Sequence, residues 1–358
     1  MLHSVWQASQ ILLTLHSQSK HHKALEGQSA LGGGALFSYD IEVEGARIPV
    51  DHYESNAQYA GTLVVVHGMS PKGKQDPRVS ALCYALSKVG YRIIAPEIES
   101  IKQLTICPSQ IDAIAKILLA IVNDQIITPS GRIGLMAPSF SGAMCLAAAS
   151  LPVIKDRIAA VCAIGAFTEV DSVMRYLLND DAADPYGRFI VLKKIVPLVC
   201  AEHSLFQGAL DAAIQDNLNE VAFDEFSNAY NCYLSTLAEQ DRQKIRRLFH
   251  DAVYREQLFS SSKSVLSEEL KLLDIVQRVQ DLSANVFLLH GSRDSVIPSD
   301  QSEKLFKQLI ASKKKVELVV TPFISHGDTR FRFSQVPDIA KIVNGFAGYF
   351  RSVSNISA

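Results

Sequence analysis

The chain predicts an α/β fold: a doubly wound, mostly parallel sheet carrying a helical insertion. Three observations predict it. Short, β-branched apolar runs alternate with helical patterns from residue 62 to 164. The alternation stops at 169, and a stretch rich in helical patterns with few strand signals follows to 281. The strand and helix rhythm then resumes from 282 to the end. Strand-helix alternation is what a parallel sheet with crossover helices requires.

The elements follow in order. Residues 1–35 read as an amphipathic leader helix, with a short apolar patch broken by polar residues and no basic flank or cleavage site. Residues 36–53 alternate with period two around Glu44-Gly45, a hairpin signal. Thr62–Val66 is apolar on both faces and so suits the middle of a parallel sheet. Asp76-Pro77 supplies an N-cap and first-turn proline for a helix that Gly90 stops. Arg92–Pro96, Arg132–Met136 and Ile158–Ile164 read as strands. Between them lie a helix capped by Ser109 and a small-residue helix from Gly142 to Leu151. The expected organisation is a core from 36–168 and 282–358 with a helical cap inserted at 169–281. Within the insertion the clearest helical stretches are Val221–Leu237, Asp241–Tyr254 and Leu266–Val279. Beyond it come strands Val286–His290 and Val316–Val320 and helices Ser299–Ser312 and Pro337–Phe350.

Composition narrows the classes. Of 358 residues, 48% are hydrophobic and 20% charged, which suits a packed core and not a disordered chain. The net charge of −2 offers no nucleic-acid surface. No stretch reaches the ~18 apolar residues a membrane span needs. The six cysteines are scattered without CxxC or Cys/His spacing. They read as buried hydrophobes in a reducing, cytoplasmic compartment.

Chemistry concentrates at Leu135–Gly142, Leu-Met-Ala-Pro-Ser-Phe-Ser-Gly. A strand passes through a tight turn into a helix, and Ser139 crowns the turn. Such a turn needs small residues two positions either side, and Ala137 and Ser141 stand where glycine is usual. Ser139 needs a base and an orienting acid. Asp294 follows the strand at 286–290, and His326 follows the strand at 316–320. All three sit beyond strand ends that share the carboxyl edge of an open parallel sheet. The amides of Phe140, at a helix N-terminus, and Met69, after the His67-Gly68 turn, are the candidate oxyanion donors. Asp171 is the rival acid. His67, His290 and Arg293 read as turn-fixing residues, Ser141 as merely small, and Asp328 and Arg330 as solvated.

With these residues in view, the chain resembles the α/β-hydrolase superfamily. The stretch Gly68–Val79 and the elbow Ala137–Gly142 are similar to its bacterial dienelactone-hydrolase-like and acyl-peptidase-like branch. The resemblance covers residues 36–168 and 282–352. It departs from true dienelactone hydrolases in having serine, not cysteine, at 139. It implies acylation of Ser139, His326 as acid and base, Asp294 as orienting partner, and no metal or organic cofactor. The expected activity is hydrolysis of a small, hydrophobic carboxylic ester. A thioesterase or acyltransferase for carrier-bound acyl groups is the alternative, with Lys72, Lys74 and Arg78 as a positive rim. A non-catalytic binding protein would be expected to lack a triad member, and a peptidase to carry a large extra domain.

Overall fold

The computed structural model describes residues 2–19, 35–219, 228–324 and 336–354. Among the described residues, eight strands form one sheet: β1 Leu36–Val43, β2 Ala46–Tyr53, β3 Gly61–Val65, β4 Tyr91–Pro96, β5 Ile133–Pro138, β6 Ile158–Ile164, β7 Asn285–Gly291 and β8 Val316–Thr321. Their spatial order is β1-β2-β4-β3-β5-β6-β7-β8. The hairpin strands β1 and β2 are antiparallel, and β2 lies antiparallel to β4. Every other pairing is parallel. Neighbouring strands β3, β5, β6 and β7 therefore end at one common edge.

The helices are α1 Leu2–Ser19, α2 Pro77–Lys88, α3 Glu99–Lys102, α4 Ser109–Asn123, α5 Ser139–Ala149, α6 Val170–Asn179, α7 Pro185–Val199, α8 His203–Leu218, α9 Ala229–Ser235, α10 Glu239–His250, α11 Ala252–Leu273, α12 Asp300–Ala311 and α13 Val336–Ser354. The chain divides into two compact units: 1–169 with 274–358, and Val170–Leu273.

In the first unit the sheet is covered on both faces. Leu63 and Val65 of β3, Cys162 of β6 and Phe287 of β7 enter a cluster with α1, α2 and α13. Residues two apart on a strand share a face, so this set marks one side of the sheet. Helices α4, α5 and α12 supply the other layer, with Ile114, Met144 and Leu305 buried. The leader α1 is built into this core. Ala8 and Ile11 are buried, and the fully buried Gln7 donates from Nε2 to the Val89 carbonyl at 2.8 Å.

The sheared-off helical rhythm of the sequence becomes a helical unit of its own. Its buried cation is Arg255, which donates to the carbonyls of Leu178, Leu248 and Phe249. The guanidinium thereby satisfies the last turns of α6 and α10, where carbonyls lack intrahelical donors. Phe189 and Tyr230 stack on Phe249 at about 5 Å. The expected helix Asp241–Tyr254 is in fact two. Asp251 interrupts it, because its carboxylate accepts the Tyr254 N–H at 2.9 Å and caps α11. Helix α11 then runs on to Leu273 and absorbs most of the expected Leu266–Val279. Of Val221–Leu237, residues 221–227 lie outside the described residues, and α9 covers Ala229–Ser235. Ser109 does not cap α4. It is the helix's first residue, and Pro108 precedes it without a side-chain cap.

The cysteines are free. Cys83, Cys145 and Cys162 are buried, and burial pushes their thiols upward. Cys107 and Cys200 are half-buried and Cys232 is exposed, so the buried-hydrophobe expectation fits three of six. No described helix is long and apolar enough to cross a membrane.

Candidate active site

Strand β5 ends at Pro138, and α5 begins at the next residue. Ser139 occupies the junction with φ of +56°. A non-glycine residue in the left-handed region is strained, and serine supplies no glycine-like freedom there. The surroundings hold it in place. A Cβ added to Gly142 would meet the Ala137 carbonyl oxygen at 3.0 Å, Ala166 Cβ at 3.3 Å and Ala163 Cβ at 3.4 Å. Helix α5 therefore packs directly on β5 and β6, and the turn has no slack. Ser139 itself is only half-buried, while Phe140 is buried against Phe167, ring centroids 5.6 Å apart.

The loop after β3 lies beside this turn. A Cβ on Gly68 would contact Pro138 Cγ at 3.5 Å. His67 is fully buried, and its ring makes two bonds. Ile98 N–H donates to Nε2 at 3.0 Å, which leaves Nδ1 to carry the proton toward the Gly68 carbonyl at 2.9 Å. His67 is thus a turn-fixing residue, in agreement with the sequence reading. Ser141 is more than merely small. Its hydroxyl is buried and donates to the His67 carbonyl at 2.6 Å. Nothing in the local pattern announced this bond, beyond a hydroxyl standing where glycine is usual.

Burial holds the His67 imidazole below its ordinary value of 6.5. Between 6.5 and the lower folded value, the unfolded chain binds the proton and the folded chain does not. Stability is therefore full above that window and declines as pH falls through it. His52, also depressed by burial, acts in the same direction. Urea midpoints measured between about pH 7.5 and pH 5 are expected to fall, and to fall less in His67→Asn. An identical pH slope in the variant would remove His67 as a source.

Asp294 sits three residues past β7. It is buried, and its Oδ1 accepts the N–H groups of Val296 and Ile297 at 2.9 Å each. Its Oδ2 lies 3.5 Å from Nε2 of the fully buried His290. That ring bridges Ser302 Oγ at 2.6 Å and the Ile297 carbonyl at 2.8 Å. Ser292 N–H donates to the Thr321 carbonyl at 2.8 Å, which ties this turn to the end of β8. His326, Asp328 and Arg330 lie outside the described residues. The rival Asp171 belongs to the helical unit, where Lys263 at 2.7 Å and Arg175 at 3.4 Å engage its carboxylate.

The expected positive rim is corrected. Lys74 is buried, with its ammonium on Asp51 Oδ1 and its amide on Glu97. Arg78 forks onto Asp76, Nε to Oδ1 at 2.9 Å and Nη2 to Oδ2 at 2.8 Å. Asp76 in turn caps α2 by accepting Arg78 N–H. These pairs satisfy the two buried carboxylates Asp51 and Asp76; Lys74 is lost from the rim, while Lys72 and Arg78 stay exposed, Arg78 held on Asp76.

No family model matches the sequence, and no curated protein matches it. Solved structures do match in shape. A puromycin hydrolase superposes with a TM-score of 0.53 at 10% identity, over 90% of this chain and 39% of that one. A putative dipeptidyl aminopeptidase IV from Bacteroides ovatus gives 0.52 at 12% identity, over 89% and 36%. The acylaminoacyl peptidase of Pyrococcus horikoshii gives 0.51 at 14% identity, over 90% and 42%. The chain spans well under half the length of these proteins.

Proposed function

From the α/β-hydrolase fold that the chain possesses, we propose a serine hydrolase that cleaves a carboxylic ester through an acyl-enzyme on Ser139. The observation that carries this reading is the left-handed backbone of Ser139 at the β5–α5 junction. Glu44, Leu104 and Lys313 share a positive φ, but Ser139 alone of the four stands half-buried between a buried strand and a tightly packed helix, the context that supports a role in chemistry.

In this reading Ser139 Oγ attacks the ester carbonyl carbon while His326 takes its proton. The carbonyl π electrons move to oxygen, and the amides of Phe140 and Met69 hold that oxyanion. His326 returns the proton to the departing alkoxide, which leaves as an alcohol. Water, deprotonated by His326, then attacks the acyl carbon; the acyl–Oγ bond breaks, His326 returns the proton to Ser139 Oγ, and the acid leaves. Asp294 orients the imidazole and stabilises its charged form. Its Oδ1 is committed to two backbone donors, so Oδ2 is the oxygen that would face the base. No metal or organic cofactor enters this scheme. The helical unit Val170–Leu273 is taken as the cap, and its apolar composition favours a hydrophobic acyl group.

Two cations of the rim expected for a carrier are engaged by Asp51 and Asp76, which favours a small ester over a carrier-bound thioester. Amide cleavage is the second reading, favoured by the resemblance to an acylaminoacyl peptidase. One experiment separates them. Purified protein is assayed with p-nitrophenyl esters of increasing acyl length and matched p-nitroanilides, beside labelling by a fluorophosphonate probe. Ester turnover and labelling, both absent in Ser139→Ala, are expected. Faster anilide turnover would transfer the assignment to amides. Neither turnover nor labelling in wild type would overturn the serine hydrolase reading.

A further inference from the structure

We propose that Ser141, through His67, is a positioning residue that aims the Met69 amide at the oxyanion. The inference rests on the serine hydrolase reading above. It concerns a residue that replaces the glycine usual at this point of the elbow.

Two successive peptide planes carry the coupling from helix α5 to the Met69 amide. Ser141 Oγ donates to the His67 carbonyl at 2.6 Å, so the plane joining residues 67 and 68 is pinned to helix α5. The His67 Nδ1–H reaches the Gly68 carbonyl at 2.9 Å, so the next plane, joining 68 and 69, is pinned to the imidazole. In a trans peptide the C=O and N–H point in opposite directions, and the described chain contains no cis bond. Turning the Gly68 oxygen toward the ring therefore turns the Met69 N–H away from it. The ring cannot swing, because Ile98 N–H holds Nε2 at 3.0 Å and the side chain is fully buried.

Ser141 is two residues from Ser139 on the same rigid turn, and it too is fully buried. Its hydroxyl thus couples the nucleophile's helix to the loop that carries the second oxyanion donor. Val66 N–H to the Met136 carbonyl, at 3.0 Å, fixes the same two strands just below. Preorganised donors contribute to catalysis only when they are aimed before charge develops. The hydroxyl of Ser141 supplies that aim here, and a glycine would not.

The prediction is specific to the transition state. Ser141→Ala and Ser141→Gly are each expected to lower kcat about tenfold, with KM changed less than about twofold. Affinity for a trifluoromethyl ketone, which forms a charged tetrahedral adduct on the serine, is expected to fall by the same factor. The two variants separate aim from packing. Glycine weakens the helix more than alanine does and lowers Tm further, yet the two should lose equal kcat because both lack the hydroxyl. His67→Asn, whose amide can replace the Nδ1–H donor to Gly68, should retain more kcat than His67→Ala. Wild-type kcat in Ser141→Ala, or a kcat loss without loss of ketone affinity, would overturn the inference. If wild type itself neither turns over nor labels with a fluorophosphonate, the serine hydrolase reading falls and takes this inference with it. If wild type labels and the variants match it, only the inference falls.

Discussion

Ser139→Ala is expected to lower kcat on the best ester by about 10⁶-fold, the order of loss when an acylating serine is removed from an intact site. Ser139→Gly should be as inactive. The two variants differ in stability, and that difference tests the strain at the elbow directly. At φ of +56° alanine keeps the steric penalty of an L side chain, whereas glycine does not. Glycine is therefore expected to be the more stable variant by about 1 kcal/mol, read as a higher urea midpoint at unchanged slope. The measurement is a pair of denaturation curves beside a pair of progress curves. Residual turnover in Ser139→Ala at wild-type level would remove Ser139 as the nucleophile. Equal midpoints for alanine and glycine would remove the strain, and with it the argument that the turn is held for chemistry.

Asp294→Asn should cost about 10⁴-fold in kcat with the fold retained. Asparagine can keep the acceptor that binds the Val296 and Ile297 amides, so the turn after β7 should persist. The other end of the side chain changes from acceptor to donor. An amide facing the proposed base would stabilise the wrong tautomer and offer no charge to an imidazolium. It would also present a donor toward His290 Nε2, where the carboxylate Oδ2 now lies at 3.5 Å. Far-ultraviolet circular dichroism should match wild type, and fluorophosphonate labelling should slow in proportion to kcat. Asp171→Asn serves as the comparison. That carboxylate pairs with Lys263 and Arg175 in the helical unit, so its loss should leave kcat near wild type. A large loss in Asp171→Asn with little in Asp294→Asn would exchange their roles.

Removal of one oxyanion donor typically costs ~10²–10³ in turnover. Loss of its alignment, with the donor still present, should cost less, which is why about tenfold is expected for Ser141. The ordering Ser139, Asp294, Ser141 is thus itself a prediction of how directly each residue meets the reacting atoms.

Hydrophobic periodicity determined much of this protein. Continuous apolar runs such as Thr62–Val66 mark a strand buried on both faces, and the observed β3 is buried throughout. Glu44-Gly45 marked the hairpin that β1 and β2 form, with Glu44 and Gly45 both at positive φ. Asp76-Pro77 marked the start of α2, where Asp76 accepts the Arg78 N–H. These features are local: a strand's faces, a turn's dihedrals and a helix cap are set by residues within a few positions of each other. The elbow was legible for the same reason, since a strand, small residues and a helix in succession admit few geometries.

Pairings between distant residues were not legible, because sequence spacing carries no record of which side chains the fold will bring together. Lys74 read as a surface cation, yet the hairpin places Asp51 against it and buries both. Helix Asp241–Tyr254 read as continuous, but Asp251 turns its carboxylate onto the next helix and divides it. Ser141 read as a small residue, and only the parallel pairing of β3 with β5 sets its hydroxyl on the His67 carbonyl. The sequence by itself determined the strand-helix order, the serine at the strand-to-helix turn and the place of an aspartate after β7. Only the tertiary structure decided the strand order, the buried charge pairs and the bond that joins elbow to loop, because each depends on contacts closed across tens of residues.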